Sequence, residues 1–283
     1  ASLVRVFRGA ACAIAMLFVV VALARPAGAP VTVPAVAKGA DVIIAIDVSL
    51  SMLATDARSS RLERARAVLR DLVERLDGDR IGLVAFSGSS SILLPLTLDT
   101  DAVRLFAEQL QVASVDAPGT AIDRAVDRSI EMFESAGEGE RVLIVLSDGE
   151  DLSADPLAVA RGAAERASEA GIRVASVAVG TGEGANIPLD VLGSNTLKRG
   201  PDGEAIVTRA RLDVMSALGG QGLAIAATSG DEADRIAAWI GPGDASPRAS
   251  GERGVRAELF QVPLAIGLLL LLVEYAAGAW RGQ

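Results

Sequence analysis

The 283-residue chain contains no histidine, a single cysteine and only two lysines, Lys38 and Lys198. Without histidine, the Ser-His-Asp and Cys-His nucleophile systems are excluded, as is every histidine-ligated zinc or haem site. The lone Cys12, inside an apolar run, permits neither an intrachain disulfide nor a two-cysteine metal site. Any metal held by this chain must therefore be held by oxygen. The shortage of lysine and a formal net charge of -9 argue against nucleic-acid binding, whose affinity comes mainly from clustered cations. Aromatic residues are scarce as well, at 3%, yet hydrophobic residues reach 51%, a share that points to apolar segments in a membrane.

Two runs carry that excess. Ala10 to Ala24 is unbroken, preceded by Arg5 and Arg8 and closed by Arg25-Pro26. It reads in two ways, as a short transmembrane helix or as a signal-peptide core ending in the small-x-small pattern Ala22-Leu23-Ala24. In both, the basic residues ahead of it direct the following domain out of the cytoplasm. Leu259 to Trp280 is long enough for about 33 Å of helix and reads as a true span. Tyr275 and Trp280 suit an interfacial belt, Arg281 falls on the cytoplasmic side and Glu274 can snorkel toward it. The alternative, a buried helix of a soluble domain, needs more surrounding protein than remains.

Between the runs, strands alternate with amphipathic helices. Strands are expected at Asp41–Asp47, Arg80–Phe86, Arg141–Ser147, Ile172–Val179 and Gly222–Ala226, with an edge strand at Ser91–Leu96 that Pro95 keeps out of the sheet interior. Helices are expected at Arg58–Leu76, Asp101–Val112, Ala121–Glu134, Asp155–Ala170, Arg211–Leu218 and Asp231–Ile240. Gly180 to Thr208, with the turn signal Pro201-Asp202-Gly203, is a long loop or a small hairpin. This order predicts an α/β fold with a doubly wound, mostly parallel sheet.

Ligands of such sheets bind beyond the carboxyl ends of the strands, and the first strand ends in Asp47-Val-Ser49-Leu-Ser51. Ser147-Asp148-Gly149-Glu150-Asp151 ends another, and Gly119-Thr120 opens a helix from a third loop. Asp47, Ser49, Ser51, Thr120 and Asp148 together make an oxygen-only set of two carboxylates and three hydroxyls, suited to Mg²⁺, which takes hard ligands and keeps some of its waters. Singly each has a simpler reading: strand-end carboxylate for Asp47, helix N-cap for Ser49, Ser51 or Thr120, and turn for Asp148-Gly149. Glu150 and Asp151 read as a solvated acidic rim, and Ser87 to Ser91, without a base, as a strand connection.

The pattern Asp-x-Ser-x-Ser, a distant Gly-Thr and a later Ser-Asp-Gly resembles the metal-ion-dependent adhesion site (MIDAS) of von Willebrand factor A and integrin inserted domains. The resemblance implies that Ser49, Ser51 and Thr120 bind metal directly or through water, that Asp47 and Asp148 act largely through hydrogen bonds, and that a partner's Glu or Asp completes the coordination. It narrows with Ser60-Arg-Leu-Glu63, Asp79-Arg-Ile-Gly-Leu-Val-Ala-Phe-Ser-Gly88, Pro95-Leu-Thr-Leu-Asp99 and Ser147-Asp-Gly-Glu-Asp151, which look like the bacterial Bat aerotolerance proteins. The loop with Ile187-Pro188 and Asp202-Gly203 looks more like BatB than BatA. That likeness implies an inner-membrane protein with a periplasmic A domain, working beside sister Bat proteins and a MoxR-type AAA+ ATPase. Such proteins usually carry one more N-terminal span and this chain opens on Ala1, so a piece of a longer protein is expected.

The expected organisation is a membrane or signal-peptide-like segment over residues 1–25, a linker over 26–39, the A domain with its MIDAS over 40–240, a linker over 241–257 and a C-terminal transmembrane helix over 258–281. The expected activity is metal-dependent protein–protein interaction rather than catalysis, with Mg²⁺ in the site and Mn²⁺ or Ca²⁺ as alternatives. A membrane scaffold with a vestigial site is the first rival. A Mg²⁺-dependent phosphohydrolase is the second, weakened because Ser49 stands where a general acid would be needed and only Lys198 follows to meet a phosphate.

Overall fold

The computed structural model describes residues 2–24, 27–33, 39–56, 59–76, 78–112, 119–137, 139–191, 194–241, 253–258 and 261–279. In chain order its elements are α1 (Ser2–Leu23), β1 (Ala27–Val33), β2 (Asp41–Asp47), α2 (Arg61–Val73), β3 (Arg80–Phe86), β4 (Ser90–Thr97), α3 (Thr100–Gln109), α4 (Ile122–Glu134), β5 (Arg141–Ser147), α5 (Pro156–Glu169) and β6 (Ile172–Ala178). There follow β7 (Ala185–Asn186), β8 (Pro188–Val191), β9 (Ser194–Leu197), β10 (Val207–Thr208), α6 (Leu212–Gly219), β11 (Leu223–Ala226), α7 (Glu232–Ile240), β12 (Arg253–Glu258) and α8 (Gln261–Ala279). Two compact units result, Ala37–Arg248 and the paired ends Ala1–Val36 with Ala249–Gln283.

In the larger unit six strands form one sheet in the order β11-β6-β5-β2-β3-β4. All neighbours are parallel except β4, which runs antiparallel along the edge that Pro95 predicts. The continuous apolar runs of β2, β3 and β5 follow from burial on both faces. Val42, Ile44 and Ile46 pack with Leu69 and Leu72 of α2 in one core, while Ile43 and Ala45 pack with Val126 and Phe133 of α4 in the other. From β2 the chain crosses through α2 to β3 on one side, and it returns through α4 to β5 on the other. The connections thus diverge between β2 and β5, and the crevice at their carboxyl ends is the switch point where doubly wound sheets take ligands.

Helix α2 is set by a complete capping box: the Ser60 hydroxyl accepts from the Glu63 amide at 3.2 Å and the Glu63 carboxylate accepts from the Ser60 amide at 2.8 Å. This satisfies two of the amide donors that a helix start leaves without partners, and it fixes Arg61 as the first helical residue.

The stretch expected as a loop or hairpin contains two small antiparallel pairs, β7 with β10 and β8 with β9. The two expected linkers differ more from expectation, because Ala27–Val33 and Arg253–Glu258 pair as an antiparallel ribbon. Each segment alone is too rich in glycine, proline or charge to read as a strand, and only its partner at the other end of the chain completes the hydrogen bonding. The rest of those linkers, residues 34–38 and 242–252, lies outside the described residues, as do Arg25, Pro26, Asp77, Trp280 and Arg281. In the smaller unit α1 and α8 pack together: Ala15 and Ala22 are buried, and a Cβ at Gly267 would sit 3.2 Å from the Ala15 carbonyl oxygen. Pro263 falls in the first turn of α8, where no helical hydrogen bond is lost. Among the described residues no helix is long and apolar enough to cross a membrane; the side chains described in α8 are those of residues 261–273, short of the expected span Leu259–Trp280 at both ends.

Ser60→Ala is expected to lower the unfolding free energy by about 1 kcal/mol, read as a lower urea midpoint at unchanged slope.

Candidate metal centre

Asp47 is the last residue of β2, Ser49 and Ser51 lie in the turn that follows, Asp148 comes directly after β5, and Thr120 precedes α4. All five are buried, with exposures from 0% for both aspartates to 8% for Ser51, so each polar group must find a partner inside the protein or a ligand. Asp47 Oδ1 accepts from the Ser49 amide at 2.9 Å and Oδ2 from the Ser147 hydroxyl at 2.6 Å. Ser147 in turn accepts from the Gly149 amide at 3.0 Å, which stitches the end of β2 to the end of β5. The Ser49 and Ser51 hydroxyls hydrogen-bond each other at 2.9 Å, Ser49 beside Asp47 and Ser51 beside Asp148, and each helps hold its neighbouring carboxyl down. Four of the five expected residues therefore form one cluster. Thr120 joins no hydrogen bond to the other four among the described residues; its loop is docked by Ser87, whose hydroxyl donates to the Gly119 carbonyl at 2.8 Å and whose carbonyl accepts from Ala121 at 2.7 Å.

The simpler readings of these residues can now be weighed. Ser49 stands at the start of a single 3₁₀ turn, Leu50–Leu53, but its side chain makes no capping bond. The cap position of α4 is Ala121, not Thr120, and the α4 amide of Ile122 is met instead by Asp151 Oδ2 at 3.3 Å. Neither hydroxyl is used as a cap. Asp148 does make its turn, with Oδ1 accepting from the Glu150 amide at 3.1 Å, and Gly149 at φ +75° suits it, since a Cβ there would lie 2.7 Å from the Arg211 carbonyl oxygen. Glu150 and Asp151 are not a solvated rim. Asp151 caps α4, and Glu150 accepts from the Arg209 amide at 2.8 Å and from the Thr208 hydroxyl.

The largest feature that the sequence reading missed is Arg61. Its side chain is 1% exposed. Nη1 donates to Asp148 Oδ2 at 2.7 Å and to Thr208 Oγ1 at 2.9 Å, Nε donates to Asp56 Oδ2 at 2.6 Å, and Nη2 donates to Asp56 Oδ1 at 3.0 Å and to the Thr208 carbonyl at 3.1 Å. The guanidinium lies against Gly180, where a Cβ would come within 2.5 Å of Nε. An arginine on the first turn of an amphipathic helix reads as surface, and only the cluster of nearby Asp56 with Asp148 and Thr208 from two distant segments makes its burial favourable. Ser147 and Ser87 were missed for the same reason, since a serine at a strand end has no local mark of its partner.

Electrostatically the cluster is short of positive charge. Burial, and then the charge of Asp148, push the Asp47 carboxyl up to about 7. Burial also pushes Asp148 up, against the hydrogen bonds from Ser51 and the charge of Arg61. Asp56, by contrast, is held below its ordinary value, because the hydrogen bonds and charge of Arg61 outweigh its burial. Among the described residues no group of three or more His, Cys, Asp or Glu side chains is placed to hold a metal. The donor set is instead two buried carboxylates and three hydroxyls, and it could accept a hard divalent cation, which would relieve the repulsion between Asp47 and Asp148.

A carboxyl whose pKa is raised by folding favours the folded state while protonated. Below its unfolded value near 4 that contribution is complete, and it is lost as the pH rises toward about 7. In the presence of a chelator, the urea midpoint of the wild type is expected to fall between pH 4 and pH 7. Asp47→Asn is expected to flatten this fall, checked by denaturation series at pH 5 and pH 8.

Comparison with known proteins bears on the domain family and the fold. Residues 42–150 match the von Willebrand factor type A domain. The crystal structure of BatB from Bacteroides thetaiotaomicron is similar, with 35% identity, a TM-score of 0.64 and coverage of 71% of this chain and 97% of that one. An aerotolerance-related membrane protein from Bacteroides fragilis shows 31% identity and a TM-score of 0.62 over the same shares. A UPF0353 protein from Nocardia farcinica is 33% identical over 178 residues, which make up 59% of this chain and 53% of the relative. The chain spans about half the length of the curated relatives it matches. With a von Willebrand factor type A match over residues 42–150 and near-complete coverage of a BatB structure at 35% identity, this chain belongs to the Bat family of von Willebrand factor A domain proteins.

Proposed function

We propose that the chain is a membrane-anchored interaction module whose A domain holds a divalent cation through Ser49, Ser51 and Thr120, with Asp47 and Asp148 orienting the hydroxyls. The observation that carries this reading is the Ser49–Ser51 hydroxyl pair, hydrogen-bonded at 2.9 Å beside two buried carboxylates, Asp47 and Asp148. Each hydroxyl has one hydrogen and two lone pairs, so lone pairs remain after the bond between them, and a hard cation is the group they suit. Mg²⁺ fits the oxygen-only set, and Mn²⁺ or Ca²⁺ could take its place. A bound cation would supply an open coordination position for a Glu or Asp of a partner protein. The chain's own part is to hold the oxygens, and the role is one of binding rather than catalysis.

The membrane reading is supported by the apolar exteriors of α1 and α8, where Leu17, Leu23, Leu269 and Leu272 are exposed, a pattern costly in water and favourable in lipid. The location that fits is the inner membrane, with the A domain (residues 40–240) on the periplasmic side and residues 258–281 as a span. Sister Bat proteins and a MoxR-type AAA+ ATPase are the proposed company, with the carboxylate-bearing partner among the envelope proteins.

Calorimetry on the full chain in mild detergent is expected to show one Mg²⁺ or Mn²⁺ per chain, weakened about 10- to 100-fold in Asp47→Asn and abolished in Ser49→Ala; a folded wild type that binds neither ion would point to the scaffold. Carbonate-washed membranes are expected to retain the chain, and protease added to spheroplasts is expected to remove the A domain.

A further inference from the structure

We propose that Arg61 is a resident cation of the metal site: it already neutralises Asp148, so it sets the affinity for a divalent ion low, and its tethers to Asp56 and Thr208 decide how low. The inference rests on the metal-site reading above and concerns a residue outside the five oxygen donors.

Asp148 Oδ2 is taken by Arg61 Nη1 at 2.7 Å, inside a protein interior that screens charge poorly. A guanidinium this close opposes any second cation drawn to the same carboxylate. Arg61 cannot swing away, because five hydrogen bonds hold it and Gly180 leaves no room beside Nε. Asp56 is its counterweight. With both oxygens on Arg61 and a further bond from the Thr181 hydroxyl at 3.2 Å, Asp56 shares the positive charge that Asp148 would otherwise receive alone.

The same contacts reach the excursion between β6 and α6. Thr181 opens it and also accepts from Ala210, which closes it, at 2.9 Å, while Thr208 near its end bonds both Arg61 and Glu150. Both roots of the segment are thus clasped to the residue that balances Asp148. A shift at Thr181 or Thr208 changes how firmly Arg61 holds Asp148, and with it the room left for a divalent ion.

A purely structural Arg61 predicts the opposite sign from a resident cation. The test is Mn²⁺ calorimetry on the full chain in detergent, with urea unfolding in chelator as a second readout, for wild type, Arg61→Met, Arg61→Lys and Asp56→Asn. Arg61→Met is expected to be less stable without metal but to bind Mn²⁺ at least about tenfold more tightly, because one repelling charge is gone. Arg61→Lys keeps the charge and is expected to stay within about threefold of wild type. Asp56→Asn is expected to weaken Mn²⁺ binding about tenfold, since Arg61 then turns its full charge on Asp148; it serves as the second variant where Arg61→Met does not fold. Unchanged or weaker binding in folded Arg61→Met, or unchanged binding in Asp56→Asn, overturns the inference while leaving the metal site standing. Binding that appears only in Arg61→Met sustains the inference and removes the wild-type metal reading. Binding in neither wild type nor Arg61→Met removes both.

Discussion

Two carboxylates buried at the ends of neighbouring strands repel one another across a medium that screens them weakly, and the centre of this molecule is organised around that repulsion. Asp47 and Asp148 are both fully buried. Ser147 and the Ser49 amide hold Asp47; the Glu150 amide and Arg61 hold Asp148. Even so, Asp47 stays pushed up to about 7 by its burial and its neighbour. The hydrogen bonds distribute the charge but only a cation cancels it. Arg61 meets Asp148 in the folded chain, and among the described residues Asp47 is held by hydrogen bonds alone.

The sheet makes that arrangement possible. Divergence of the chain on either side of β2 and β5 opens the crevice that the two aspartates share, and the loops after β2, before α4 and after β5 converge on it. Several bonds there tie one loop to another rather than to itself: Asp151 supplies the cap of α4, Ser87 docks the Thr120 loop, and Glu150 grips the end of the excursion.

The smaller unit obeys a different constraint. Ala15, Ala22 and Gly267 allow α1 and α8 to approach closely, since small residues let two helix backbones come together. The ribbon of β1 and β12 gives the backbone of both connecting segments its hydrogen bonds, so segments that look like plain linkers carry ordered structure.

Local chemistry was enough to reveal most of the strands and helices of the larger unit. The bounds of β2, β3 and β5 follow from continuous apolar runs, because burial on both faces leaves a strand no choice of composition; β4 was legible as an edge from Pro95 alone. Asp47, Ser49 and Ser51 were legible as a candidate cluster because they lie within five residues at one strand end, and Asp148 because it closes another strand. What only the tertiary structure decided are the partnerships between distant segments: Arg61 with Asp148 and Thr208, Ser87 with Gly119, Asp151 with Ile122, and Ala27–Val33 with Arg253–Glu258. Burying a charge or pairing an isolated strand is favourable only once its partner is in place, and no pattern within one segment encodes a partner brought in from another.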